Sequence, residues 1–216
     1  RLLTQSRGLG DVYKRQLQRI LDTAAEVFAA SGFAGARMDE IADRAGVNKA
    51  TIYYHIGAKE TLYARVLHEH FASAGDQFDR VLGSVSDPEE KLSLFIQQIA
   101  RVMDQNPRKT VMMLREIAAG GEHFPDIVAR DLSVIIGKLM EILSEGQRQG
   151  RFIPVNPFSV HLMVIGAFVL YRVSQPVRKK IIGLTDSPEH QEATVSGEFA
   201  DEIERLVLRA LKTDVA

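Results

Sequence analysis

The chain has 216 residues, of which 45% are hydrophobic and 25% charged, with a net charge of −1 and no cysteine. That composition supports one or two packed domains. It excludes a disulfide framework or a cysteine-based zinc site and fits a reducing cytoplasm, the expected compartment. It also excludes holding nucleic acid through overall positive potential, so any such contact must be local.

The segment Arg1 to Gln16 carries Arg1, Arg7, Lys14 and Arg15 against Asp11 alone. It lacks an apolar h-region and a small-residue cleavage site, so residues 1–16 are expected to be a flexible or non-native arm. From Leu17, the apolar positions Leu17, Ile20, Leu21, Ala24 and Phe28 recur at helical spacing, and Gly32 supplies a stop. Two apolar pairs four apart follow, Ile41 with Ala45 and Ile52 with Ile56, and they predict two short helices meeting at Gly46-Val47-Asn48. A longer helix begins at Lys59 and carries its stripe through Leu62, Val66, Leu67, Phe71 and Phe78 to a stop at Gly83.

Asp87 and Pro88 read as cap and first position of a helix reaching Gln105, with Glu89 and Glu90 at the positive end of its dipole. Pro107 opens a helix that stops at Gly120-Gly121, and Pro125 opens another that Gly150 ends. Asn156 and Pro157 start an almost wholly apolar helix to about Val173, shorter than the roughly 20 residues a bilayer crossing takes, so no membrane association is expected. The polar stretch 174–196, with Pro176, Gly183 and Pro188, reads as largely loop, and Phe199, Ile203, Leu206, Val207 and Ala210 mark a last helix. The expectation is an all-α chain of about nine helices. A helix-turn-helix domain over 17–66 is joined by a long helix to a helical effector-binding and dimerisation domain over 67–216.

A helix-turn-helix lays its second short helix in the major groove, with N-terminal residues at base edges, while the first helix and the turn brace it. Here Ile41, Ala45, Val47, Ile52 and Ile56 can pack the pair inward, Gly46 permits the turn and Asn48 can cap the second helix. Lys49 can meet guanine or phosphate, and the methyl groups of Ala50 or Thr51 can touch a thymine methyl. Thr51, Tyr53, Tyr54 and His55 offer donors to phosphate oxygens, and Lys59 adds a cation at the start of the following helix.

The run Gly32-Phe33, Met38-Asp39-Glu40-Ile41-Ala42, Ala45-Gly46-Val47-Asn48-Lys49-Ala50-Thr51-Ile52-Tyr53-Tyr54-His55 and Lys59-Glu60-Thr61-Leu62 closely resembles the DNA-binding domain of the tetracycline-repressor (TetR) family. The resemblance implies a homodimer on a double-stranded, palindromic operator, and a helical C-terminal domain that binds a small-molecule effector and dimerises through its last two long helices. By position it makes Lys49 and Ala50 base-reading candidates and Thr51, Tyr53, Tyr54 and Lys59 phosphate or positioning candidates, to which His55 is added. The chain departs from the family in having Ala36 and Arg37 where Ser or Thr often precedes the first short helix. Arg37 is the expected electrostatic substitute for that lost phosphate contact.

The Gly120-Gly121 break lies beside Met112, Met113, Glu116 and Phe124, which together could form a deformable pocket wall, with His161 as a further lining residue. Ordinary core packing explains the methionines better. His68 and His70 are two apart on a helix and so point to different faces, which is no metal site. Gly8-Leu9-Gly10 lacks a third glycine, and no P-loop, nucleophile elbow or metalloprotease signature occurs, so neither cofactor nor catalysis is expected. Two other readings stay open on sequence alone: an all-helical enzyme, and a DNA binder controlled by a protein partner.

Overall fold

A computed structural model describes residues 2–185 and 194–213, with side chains for 12–181 and 194–213. Among the described residues there are ten helices and no strand, only one isolated antiparallel bridge between Phe152 and Lys212. The helices are α1 (Leu2–Gly35), α2 (Met38–Ala45), α3 (Lys49–His55), α4 (Lys59–Leu82), α5 (Pro88–Gln105), α6 (Pro107–Ala118), α7 (Asp126–Arg148), α8 (Pro157–Val173), α9 (Gln175–Thr185) and α10 (Glu198–Leu211). No single helix among the described residues is long and apolar enough to cross a membrane.

The chain forms two compact units, one of Arg1–His70 with Arg108–Ala129 and the other of Phe71–Pro107 with Arg130–Ala216. The boundary falls inside α4. Helix α6 falls in the first of these units. Two ties account for this: Arg108 of α6 pairs with Glu26 of α1 at 3.0 Å, and Glu116 of α6 accepts from Tyr63 of α4 at 3.2 Å.

In the first unit, α1 reaches back to Leu2, so residues 2–16 of the expected arm have helical backbone; the side chains of residues 1–11 lie outside the described residues. Gly32 interrupts α1 with φ of 70°, a left-handed conformation that suits glycine and lets the chain turn towards α2. The core comprises Ile20, Leu21, Ala24 and Phe28 of α1, Ile41 and Ala45 of α2, Ile52 of α3 and Leu62, Val66 and Leu67 of α4, all buried.

The second unit has one core of α4, α5, α7, α8 and α10 side chains, including Phe78, Phe95, Leu139, Phe152, Phe168 and Val207. The predicted caps form: Asp87 accepts from the Glu90 amide at 3.0 Å and Asn156 from the Phe158 amide at 2.9 Å. Asp104 binds Arg172 of α8 at 2.7 Å and accepts from the amides of Val195 and Ser196, which fixes the chain ahead of α10.

The loop reading of 174–196 is corrected over Gln175–Thr185, which is α9; residues 186–193 lie outside the described residues. Pro176 is second in α9, where a proline has no helical hydrogen bond to lose, so it starts the helix instead of breaking it. Arg178 then stacks on the Tyr171 ring at 3.8 Å and ties α9 to α8.

Gly146 of α7 lies under the Phe152 ring, and a Cβ added there would stand 2.0 Å from a ring carbon. Glycine to alanine within a helix ordinarily gains about 1 kcal/mol. Overpacking of a buried ring costs about 1–3 kcal/mol or more. Gly146→Ala is therefore expected to lower stability despite the better helix former, and adding Phe152→Leu should recover part of the loss; urea unfolding of the two variants checks both signs.

Candidate nucleic-acid interface

The α2-turn-α3 hairpin is built from short, weakly helical segments that tertiary packing must hold. Ile41 and Ile52 are fully buried and pin one helix each. Between them Gly46 adopts φ of 63° and its amide reaches back to the carbonyls of Ala42 and Asp43, closing α2. Asn48 then caps α3, its side-chain oxygen accepting from the Ala50 amide at 2.9 Å. With Ile52 turned inward, Lys49, Ala50, Tyr53 and Tyr54 are left exposed on the remaining faces of a seven-residue helix.

Tyr54 is 85% exposed, with its ring edge-on to His55 at 4.8 Å, and Tyr53 is 47% exposed. Such amphipathic rings suit a polar partner surface. Thr51 and His55 are half-buried on the same helix. Lys49 is ion-paired: its Nζ lies 2.9 Å from one carboxylate oxygen of Asp39 and 3.1 Å from the other. That hydrogen bond and the carboxylate's charge hold the ammonium pKa above the ordinary lysine value, against opposing contributions from desolvation and then Arg37.

Arg37 occupies the N-cap position of α2 in extended conformation and makes no side-chain cap hydrogen bond, as its residue type requires. Ala36 beside it is buried, and its carbonyl accepts from Lys59 Nζ at 3.2 Å. The Lys59 ammonium also stands 4.5 Å from the centre of the Phe33 ring. An ammonium has three donors, so this bracing does not use all of them. The hairpin thus gathers Arg37, Lys49, Ala50, Thr51, Tyr53, Tyr54, His55 and Lys59 within one unit. The sequence reading missed Asp39, since ten residues separate it from Lys49 and no periodicity links them; only the docking of α2 on α3 makes the pair.

The pocket candidates divide. Met112 and Glu116 are buried and Met113 and Phe124 half-buried in the first unit, whereas His161 is half-buried on α8 in the second. The Glu116 carboxylate, 3% exposed, accepts from Tyr63 Oη at 3.2 Å and from the His123 amide at 2.6 Å. Burial first, and then Glu116, push the Tyr63 phenol well above its ordinary pKa. His161 Nδ1 is buried and has no hydrogen-bond partner among the described residues, and burial lowers its pKa. A cleft of about 240 Å³ in the second unit is lined by Asp79, Lys91, Lys138 and Glu145 among others, and by none of the five candidates.

A capped, seven-residue helix presenting lysine and tyrosine from a buried three-helix support defines a helix-turn-helix DNA-binding protein. Residues 20–66 match the model for bacterial regulatory proteins of the tetR family, and residues 88–201 match the tetracyclin repressor-like C-terminal domain. The chain belongs to the tetR family of transcriptional regulators. It is 22% identical over 196 residues to the HTH-type transcriptional regulator RutR of Escherichia coli strain K12, covering 89% of each chain. It is 29% identical over 142 residues to the HTH-type transcriptional repressor NicS of Pseudomonas putida, covering 64% of this chain and 66% of NicS. Among solved structures, the fold is shared with FadR of Bacillus subtilis in complex with stearoyl-CoA, at a TM-score of 0.70, 19% identity and coverage of 90% of this chain and 98% of FadR.

Proposed function

We propose that the protein is a homodimeric, effector-responsive repressor that reads a near-palindromic operator in the cytoplasm, with α3 of each subunit in a major groove. The exposed Lys49-Ala50 start of α3, held by the Asn48 cap and buried Ile52, carries this reading. Lys49 and Ala50 face base edges, and Arg37, Thr51, Tyr53, Tyr54, His55 and Lys59 hold the phosphate backbone. Dimerisation is supported by Phe158, Leu162, Met163 and Leu170 of α8 and Leu206 of α10, large apolar side chains that are all exposed.

Repression follows the named function of NicS, and the stearoyl-CoA held by FadR supports a small-molecule effector. Among the pocket candidates, Met113 and Phe124 are the preferred effector contacts, followed by Met112 and His161. Glu116 ranks last because its carboxylate already has two donors. An effector releases DNA only by binding more tightly to the dimer geometry that misaligns the two heads.

The test is selection of binding sites from a random duplex pool, followed by titration of the recovered duplex. A near-palindromic consensus bound by a dimer is expected; recovery of no sequence that binds better than a scrambled duplex sinks the reading. On the recovered duplex, Lys49→Ala is expected to weaken binding by about 5- to 150-fold and to relax preference at one base position, with its thermal midpoint unchanged.

A further inference from the structure

Lys49 reaches the DNA-facing surface with its charge already answered. Both Asp39 carboxylate oxygens lie within hydrogen-bond distance of Nζ, at 2.9 and 3.1 Å, although both side chains are well exposed, 44% for Lys49 and 57% for Asp39. Exposed pairs of this kind add little to stability, so fold stability does not explain the pairing. Its consequence is electrostatic. A free lysine in this place would seek any phosphate, and each phosphate neutralised releases a counterion whatever the base sequence. A lysine held by a carboxylate is locally neutral and gains little from a phosphate. It still has a third N–H for a base acceptor.

The neighbouring groups fit this account. Arg37, also near Lys49, has its own charge free of any cap contact, and Tyr53 and Tyr54 bring hydroxyl donors without charge. Backbone attraction is thereby left to Arg37, Lys59 and the tyrosines. Lys49 is held in one place and one orientation, which lowers the ordering cost of a base contact.

Building on the base-reading role of Lys49 given above, we propose that Asp39 is a specificity-determining positioning residue: it holds Lys49 aimed at the groove and withholds its charge from non-cognate phosphates. Asp39 thus lowers affinity for random DNA more than affinity for the operator, an instance of discrimination by an unfavourable element.

The experiment uses the full chain and two duplexes, the one recovered by selection and a scrambled one of equal length, titrated by fluorescence anisotropy over a range of salt. Asp39→Asn is expected to tighten scrambled-duplex binding by about eightfold at 0.1 M salt. That is the gain from one added phosphate contact, and the salt slope should steepen by about one unit. Operator binding should tighten by less, so the specificity ratio falls, and Asp39→Glu should restore it. In a Lys49→Ala background the Asp39→Asn substitution should leave the specificity ratio unchanged.

If Asp39→Asn tightens both duplexes equally, with or without Lys49, Asp39 acts only by long-range repulsion and the proposal fails. It fails equally if both duplexes are bound more weakly, since Asp39 then merely supports α2. Normal discrimination by the unsubstituted protein alongside either result leaves the DNA-binding reading standing. Absence of any preferred duplex for the unsubstituted protein overturns both.

Discussion

Phe28→Ala is expected to cost about 3–5 kcal/mol, which lowers the melting midpoint of a chain this size by roughly 6–20 °C and abolishes DNA binding at 37 °C. Phe28 is fully buried in α1, stacked on Phe33 at 6.3 Å between centroids and edge-on to Tyr63 at 4.9 Å. The cavity would open beneath the parts that brace the reading helix. Phe33 supports the Lys59 ammonium, and Tyr63 holds Glu116 of α6. Such short helices gain most of their stability from this packing, so the loss should spread to α2 and α3. Tyr54→Ala is the contrast: at 85% exposure it should leave the melt unchanged and reduce only DNA affinity. Parallel melts and titrations separate the two; a Phe28→Ala protein that melts normally would contradict the packing argument.

Acid should destabilise the protein before its carboxylates titrate. His70 of α4 is 5% exposed, and burial first, then the Lys109 charge, lower its pKa from 6.5 to about 4. Because the folded pKa is depressed, the unfolded chain binds the proton more readily, and stability falls as pH falls. The contribution is fully present above about pH 6.5 and is lost progressively down to about pH 4. The total is on the order of 3 kcal/mol, of which about 2 kcal/mol goes between pH 7 and pH 5. His161, also lowered by burial, adds in the same direction. In urea unfolding, His70→Leu should flatten the dependence between pH 7 and pH 5; an unchanged slope would show that His70 is not its source.

Much of the reading head was legible in sequence because its constraints are local. The cap at Asn48 concerns residues two apart, the turn at Gly46 depends on one backbone conformation, and the inward positions of Ile41 and Ile52 follow from helical spacing. Helix α9 is hidden in the sequence because Pro176 and Gly183 are ordinary helix breakers, whereas the first turn of a helix accommodates proline and the Arg178 stack on Tyr171 adds a tie that local pattern does not contain. Position beside a glycine break makes Glu116 an effector-contact candidate; that Tyr63, 53 residues earlier, donates to its carboxylate is not legible in local pattern.

The sequence by itself determined an all-helical chain with a helix-turn-helix between about Met38 and Ile56, because helical period, caps and turn chemistry act over two to four residues. Only the tertiary structure decided that α6 clusters with the helix-turn-helix unit, that Lys59 rests on Phe33 and the Ala36 carbonyl, and that Lys49 is paired with Asp39. Charge pairing and burial depend on which helix faces are pressed together, and residues ten to ninety positions apart leave no periodic trace of that in the chain.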